Sequence, residues 1–272
     1  MIDMENQLPV LDRLPSGITG LDRILHGGFF KGDSYLIVGP PGAGKTILGN
    51  QLCFHHVAAG GRVLYISLLA ETSSRMLAHM QSLAFFTLAP IANTLHYLSG
   101  YAVLEQEGLG GLMTFLQNEM RRQRATLLVI DGTSTAKQAA PSPSEWKHFL
   151  HELHVASEFL GCTTLLLMDS DPTIAAHAED TMVDGLLALT TRLADMRTVR
   201  EVQVRKLRGS DFLEGRHLYA ITTDGIIIYP RTEAVLALSQ TDLPTPPTTQ
   251  AHLPRLNTGI AGLDEMLRSG LP

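Results

Sequence analysis

The stretch Gly39-Pro40-Pro41-Gly42-Ala43-Gly44-Lys45-Thr46 fits the pattern G-x-x-x-x-G-K-[ST], and few folds accommodate it. Its flanks agree with it. Residues 34–38 (SYLIV) read as a short buried strand, and residues 46–59 as a helix. Glycines let the backbone curl until successive N–H groups converge on phosphate oxygens. The helix N-terminus that follows adds a favourable dipole. Lys45 brings a mobile cation for the β- and γ-phosphates, and the Thr46 hydroxyl suits Mg²⁺. Pro41, Gly42, Ala43, Gly44, Lys45, Thr46 and Ile47 are therefore the candidate contacts to a nucleoside triphosphate. A ligand-free glycine-rich junction would have to produce the Lys-Thr pair and both flanks by accident.

The 272 residues allow one or two domains, and 44% hydrophobic with 18% charged residues is ordinary globular composition. A net charge of −6 offers no broad electrostatic footprint for nucleic acid. Cys53 and Cys162 sit in separate apolar segments and read as reduced buried thiols. The N-terminus lacks a basic start followed by an apolar run, and no apolar stretch approaches a membrane span. These features point to a cytoplasmic protein.

Residues 1–13 read as a lead-in. Leu21, Ile24 and Leu25 have helical spacing before the Gly27-Gly28 stop. Residues 62–69 predict a second strand, and a helix follows through Met76, Leu77, Met80 and Leu83. Residues 94–98 predict a short strand, and 108–124 a helix with Leu112, Phe115, Leu116 and Met120 on one face. The apolar run 126–130 ends in Asp131, the pattern of a strand whose carboxylate holds Mg²⁺. A helix over 142–160 takes Ser144 as its N-cap, and 163–168 is another buried strand. Strands over 186–192, 199–207, 217–222 and 225–229 complete the pattern. The expected fold is α/β, a mainly parallel central sheet flanked by helices with antiparallel edge strands.

Residues 239–255, rich in Pro and Thr, read as a linker. The segment after it repeats the one before the P-loop. Leu14, Gly17, Ile18, Gly20, Leu21, Asp22, Leu25 and Gly28 each recur at one offset, from Leu14 to Leu256 and onward to Gly270. The expected organisation is a complete domain over 14–238 and the opening of a second copy over 256–272.

Together these residues resemble the KaiC-like, RadA-related branch of the RecA superfamily of P-loop ATPases. The likeness covers residues 14–235. It rests on Ser16-Gly17-Ile18-Thr19-Gly20-Leu21-Asp22, His26-Gly27-Gly28, the P-loop, Val129-Ile130-Asp131 and Lys206-Leu207-Arg208-Gly209-Ser210. It implies a RecA-like fold, ATP and Mg²⁺, and a homo-hexameric ring with nucleotide at the subunit interfaces. It also implies that Lys206, Leu207 and Arg208 reach the nucleotide of the next subunit, where such cations neutralise developing phosphoryl charge. Ser82 is implied to lie near the base, and Ser210 and Thr222 near the neighbouring nucleotide. A clock-type role would bring a KaiB-like partner, and autophosphorylation would need the second domain. The family commonly has two adjacent glutamates after the second strand. This chain has Ala70-Glu71, which leaves Glu71 as the carboxylate for the attacking water.

Three functions follow from these residues: a Mg²⁺-dependent ATPase module, a nucleotide-gated scaffold with weak hydrolysis, or a DNA-dependent recombinase. The charge balance argues against the third. Other clusters read as structural. His148, His151 and His154 form a polar helix face, and Arg121, Arg122 and Arg124 suit a helix C-terminus. Asp169-Ser170-Asp171 reads as strand-end turn chemistry, with a role near the γ-phosphate as its alternative.

Overall fold

In the computed structural model, Tyr35 and Ile37 join one hydrophobic cluster while Leu36 and Val38 join another, and all four are buried. Successive side chains of a strand point to opposite faces, so this strand is covered on both sides. The same division separates Val63 and Tyr65 from Leu64 and Ile66, and Leu127 and Val129 from Leu128 and Ile130. Two-sided burial is why these strands read as unbroken apolar runs. The structure describes residues 12–70, 73–170, 181–239 and 259.

The elements in order are β1 (Arg13–Leu14), α1 (Thr19–Ile24), β2 (Phe29–Phe30), β3 (Ser34–Gly39), α2 (Lys45–Ala58), β4 (Val63–Ser67), α3 (Ser73–Met80), β5 (Leu95–Ser99), α4 (Tyr101–Gln123), β6 (Leu127–Asp131), α5 (Thr133–Ala139), α6 (Pro143–Leu160), β7 (Thr163–Asp169), β8 (Gly185–Ala194), β9 (Arg197–Leu207), β10 (His217–Thr222), β11 (Gly225–Tyr229) and α7 (Thr232–Ser239). Among the described residues, nine strands form one sheet in the order β11-β10-β9-β8-β3-β7-β6-β4-β5. From β8 to β5 every neighbouring pair is parallel, and from β8 to β11 every pair is antiparallel. The expected α/β architecture with antiparallel edge strands is therefore observed. α2 covers one face through Leu48, Leu52 and Phe54, and α4 and α6 cover the other through Leu112, Leu116, Trp146 and Phe149. Among the described residues no helix is long and apolar enough to cross a membrane.

Several sequence expectations are corrected. The α6 N-cap is Ser142, not Ser144: the Ser142 hydroxyl accepts from the Glu145 N–H, with Pro143 in the first turn. Proline suits that position because its missing N–H has no helical partner there. α4 begins at Tyr101 and is interrupted at Gly108 (φ 66°, ψ −160°), so the predicted start at 108 captured its second half. β4 ends at Ser67, two residues short of the predicted 69. α5 and α7 were not anticipated.

The chain divides into two units, Met1–Val235 and Leu236–Pro272, and the sheet belongs to the first. Of the second unit, the described residues are Leu236–Ser239 at the end of α7, and Gly259. Apart from Ser239 and Gly259, the expected linker and repeated segment lie outside the described residues.

Candidate nucleotide site

β3 ends at Gly39 and α2 begins at Lys45, so the P-loop forms the turn between them. Its position follows from the strand order. β3 and β4 are consecutive strands of the chain, yet β7 and β6 lie between them in the sheet. A crevice opens at the carboxyl ends of strands where the order switches, and ligands bind there in open α/β sheets. Gly44 is the α2 N-cap, with φ 97°, and a Cβ there would sit 2.8 Å from Ile221 Cδ1. Both the left-handed backbone and the close approach demand glycine. The loop is fastened from outside by Tyr219, whose hydroxyl donates to Ala43 O at 2.6 Å.

The neighbouring strand ends supply the acids. The Thr46 hydroxyl donates to Asp131 Oδ2 at 2.8 Å, and the Tyr65 hydroxyl donates to the same oxygen at 2.7 Å. Asp131 is buried. Burial pushes its carboxyl pKa upward, while the Tyr65 and Thr46 hydroxyls, the Gly132 N–H and the Lys45 charge pull it back. Lys45 is also buried, and its ammonium meets Gly39 O at 2.8 Å, Pro40 O at 3.0 Å and Asp169 Oδ1 at 2.6 Å. An open cleft of about 280 Å³ joins the P-loop to Leu69, Asp131, Asp169 and Ile221. The adjoining Thr46 and Asp131 oxygens fit Mg²⁺, a hard cation that takes few protein ligands and completes its shell with phosphate and water. Among the described residues no cluster of three or more His, Cys, Asp or Glu side chains could hold a metal without them.

The remaining expected site residues fall in two places. Ile221 lines the P-loop cleft beside Gly44, while the Thr222 hydroxyl, on the next residue of β10, donates to Gly225 O in the β10–β11 turn. The loop carrying Ser82 is tied to the same β10–β11 turn by Ala84 N–H donating to Thr223 O at 2.8 Å. Lys206, Leu207, Arg208 and Ser210 lie at the other end of the sheet. Leu207 pairs with Gly185, which pairs with Tyr35 near the start of β3. There Lys206 donates to Val183 O, Arg208 meets Asp184 Oδ1 at 3.3 Å and Thr181 O at 3.2 Å, and Ser210 accepts from Arg13. Glu71 lies outside the described residues. His154 turns away from His148 and His151 toward Ser34 and Asp184. Sequence reasoning missed Tyr65, Tyr219 and Ile221. Tyr65 carried a weak signal, an aromatic hydroxyl between aliphatic residues in the middle of a buried strand.

Comparison with known proteins decides the family. The family described as "ATPase: KaiC" matches residues 14–233. The chain belongs to the KaiC ATPase family. Family membership supports an ATPase module and a RecA-superfamily fold, as the motifs implied. A UPF0273 protein of Thermotoga maritima is 27% identical, over 81% of this chain and 97% of that protein. The circadian clock oscillator protein KaiC of Rippkaea orientalis is 23% identical over 98% of this chain. The chain spans about half the length of the KaiC clock proteins it matches, 51% in this case. A KaiC-like protein of Pyrococcus horikoshii superimposes with a TM-score of 0.71, covering 81% of this chain and all of that one, at 21% identity. That likeness concerns the fold alone.

Proposed function

We propose that the chain is a Mg²⁺-dependent ATPase module whose cleft is completed by a second copy of itself, in a ring of the homo-hexameric kind. Thr46 and Asp131 would hold Mg²⁺, which neutralises phosphate charge when bound. Lys45 would grip the terminal phosphates, and Glu71 would orient the attacking water. Lys206 and Arg208 would enter from the neighbouring copy.

The observation carrying this reading is the sheet register. Thr46, Asp131 and Lys45 gather at one end, and the Lys206–Arg208 pair stands at the other. Cations so placed do nothing for their own nucleotide, and another copy's phosphates would have to compete for them with Val183 O, Asp184 and Thr181 O. In steady-state phosphate release, Lys45→Ala should abolish turnover. Turnover equal to wild type would overturn the reading.

A second reading, a nucleotide-gated scaffold with weak hydrolysis, draws on Ala70 and on Lys45 being engaged by Asp169. Assembly that follows ATP without phosphate release would favour it. A clock role with a KaiB-like partner is the narrowest form of either reading. The chain aligns with nearly all of a UPF0273 protein and with half of a clock protein, so both readings are stated for the module rather than for a pathway.

A further inference from the structure

A lysine ammonium has three donors and no acceptor. In Lys45 all three are committed: to Gly39 O, Pro40 O and Asp169 Oδ1. None is left for a phosphate, so a phosphate that takes Lys45 must displace a partner. The two carbonyls belong to the loop itself and cannot leave without unfolding its turn. Asp169 is the one that can. Its side chain is 47% exposed against 8% for Lys45, and it sits on the last residue of β7. Its backbone is held independently, with Asp169 O accepting from the Ser134 hydroxyl at 3.0 Å and the next residue's N–H donating to Gly39 O at 3.2 Å. The carboxylate can swing outward while its Cα stays in place.

We propose that Asp169 is a specificity-determining counter-ion: it holds Lys45 until a terminal phosphate displaces it, and so sets the ratio of diphosphate to triphosphate affinity. The inference deepens the triphosphate-binding reading of the same cleft and rests on it. A diphosphate held by the P-loop N–H groups asks less of Lys45, which reaches toward the β- and γ-phosphates. A third phosphate adds negative charge beside Asp169 and claims the donor that Asp169 holds. Asp169 therefore disfavours the triphosphate more than the diphosphate.

The test is equilibrium titration of the full chain with Mg·ADP and with a Mg-bound non-hydrolysable ATP analogue, in wild type and in Asp169→Asn. The substitution keeps shape and removes charge. The analogue should bind roughly three- to fivefold tighter, a modest effect because the pair is partly exposed, and ADP should change by less than about twofold. The gain should shrink with added salt. In a Lys45→Ala background Asp169→Asn should add nothing, since the pair is already broken. Asp169→Ser serves as a second variant, with circular dichroism confirming the fold. Equal tightening of both nucleotides, no tightening, or a full gain without Lys45 would each overturn the inference. Wild-type protein that is folded and binds neither nucleotide would instead overturn the triphosphate-binding reading.

Discussion

Mixing two inactive variants tests the shared-site proposal most sharply, because the register keeps Arg208 from its own P-loop and random mixing then sets the expected yield. Arg208 N–H donates to Asp184 O, and Asp184 N–H donates to Ser34 O, which puts Arg208 level with the first residue of β3. The P-loop begins at Gly39, five residues further on. At ~3.3 Å per residue along the strands and two spacings of ~4.8 Å from β9 across β8 to β3, the separation is about 20 Å. No side chain spans it, so Arg208 cannot serve its own P-loop. On the shared-site proposal, Lys45→Ala would remove a chain's phosphate grip and Arg208→Ala the cation it would lend to its neighbour, and each homogeneous protein should lose turnover. In a mixed ring, a site works when an Arg208→Ala chain supplies the P-loop and a Lys45→Ala chain supplies the cation. For random mixing at equal amounts through head-to-tail interfaces, about one site in four meets that condition. Phosphate release should therefore recover to roughly a quarter of the wild-type rate after the variants are mixed and allowed to exchange subunits. Recovery should follow the product of the two mole fractions and peak at equal amounts. Full activity in Arg208→Ala alone would refute the reasoning. So would a mixture that shows exchange by fluorescence energy transfer yet recovers nothing.

Four further outcomes follow from particular contacts. Tyr65→Phe removes a donor to Asp131 without disturbing packing, and should raise the Mg²⁺ concentration for half-maximal turnover on the order of tenfold. Asp184→Ala strips the acceptor shared by the Ser34 N–H, the Ser34 hydroxyl, His154 and Arg208, and should cost about 3 kcal/mol in urea unfolding, with Asp184→Asn losing less. Asp33 is pushed from the ordinary 3.8 to about 6, first by burial and then by the Asp184 charge. The native state then holds the proton more tightly than the unfolded chain, so ionising Asp33 costs nothing below about pH 4 and its full penalty above about pH 6. Asp33→Asn should accordingly leave stability near pH 4 unchanged and raise it at pH 8 by about 1 kcal/mol after allowing for solvent screening, measured by denaturant melts at both values. Ser142→Ala should cost about 1 kcal/mol through loss of the α6 cap.

What the sequence disclosed, and what it concealed, divides along a physical line. The P-loop was legible because its geometry needs residue types that few other structures need: Gly44 at φ 97° against Ile221, and a lysine buried among backbone carbonyls. Strands β3, β4, β6 and β7 were legible because two-sided burial writes an unbroken apolar run. The errors sit where local signals compete. Ser142 and Ser144 flank one proline, and only the placement of Pro143 in the first turn decides between them. Gly108 looks like a helix start, yet helix lies on both sides of it. Partners brought together across the sheet left almost no local trace. Tyr65 and Asp131 are 66 residues apart, and Tyr219 reaches Ala43 across 176.

Asp169 shows why turn chemistry and site chemistry cannot be separated by residue type. An Asp at a strand end is favoured for its local hydrogen bonding wherever it occurs. What distinguishes this one is the neighbour of its strand. β7 lies directly against β3, with Asp169 opposite Gly39, so this strand-end acid stands at the mouth of the P-loop. Asp131 is one strand further out, on β6, and reaches Thr46 rather than Lys45. The order β3-β7-β6-β4 thus grades the strand-end residues across the cleft. The P-loop comes first, then an acid on the lysine, then an acid on the threonine, and last the end of β4, from which the chain runs on to Ala70. A second acid at position 70 would stand beside Leu69, which lines the cleft, and would not replace the one at 169, whose strand end lies opposite Gly39 and whose carboxylate meets Lys45. Restoring it by Ala70→Glu should therefore leave the nucleotide preference attributed to Asp169 unchanged and act on turnover alone. Titration with the two nucleotides and steady-state phosphate release would report these effects separately, and a shift in the affinity ratio from Ala70→Glu would contradict the assignment by strand order.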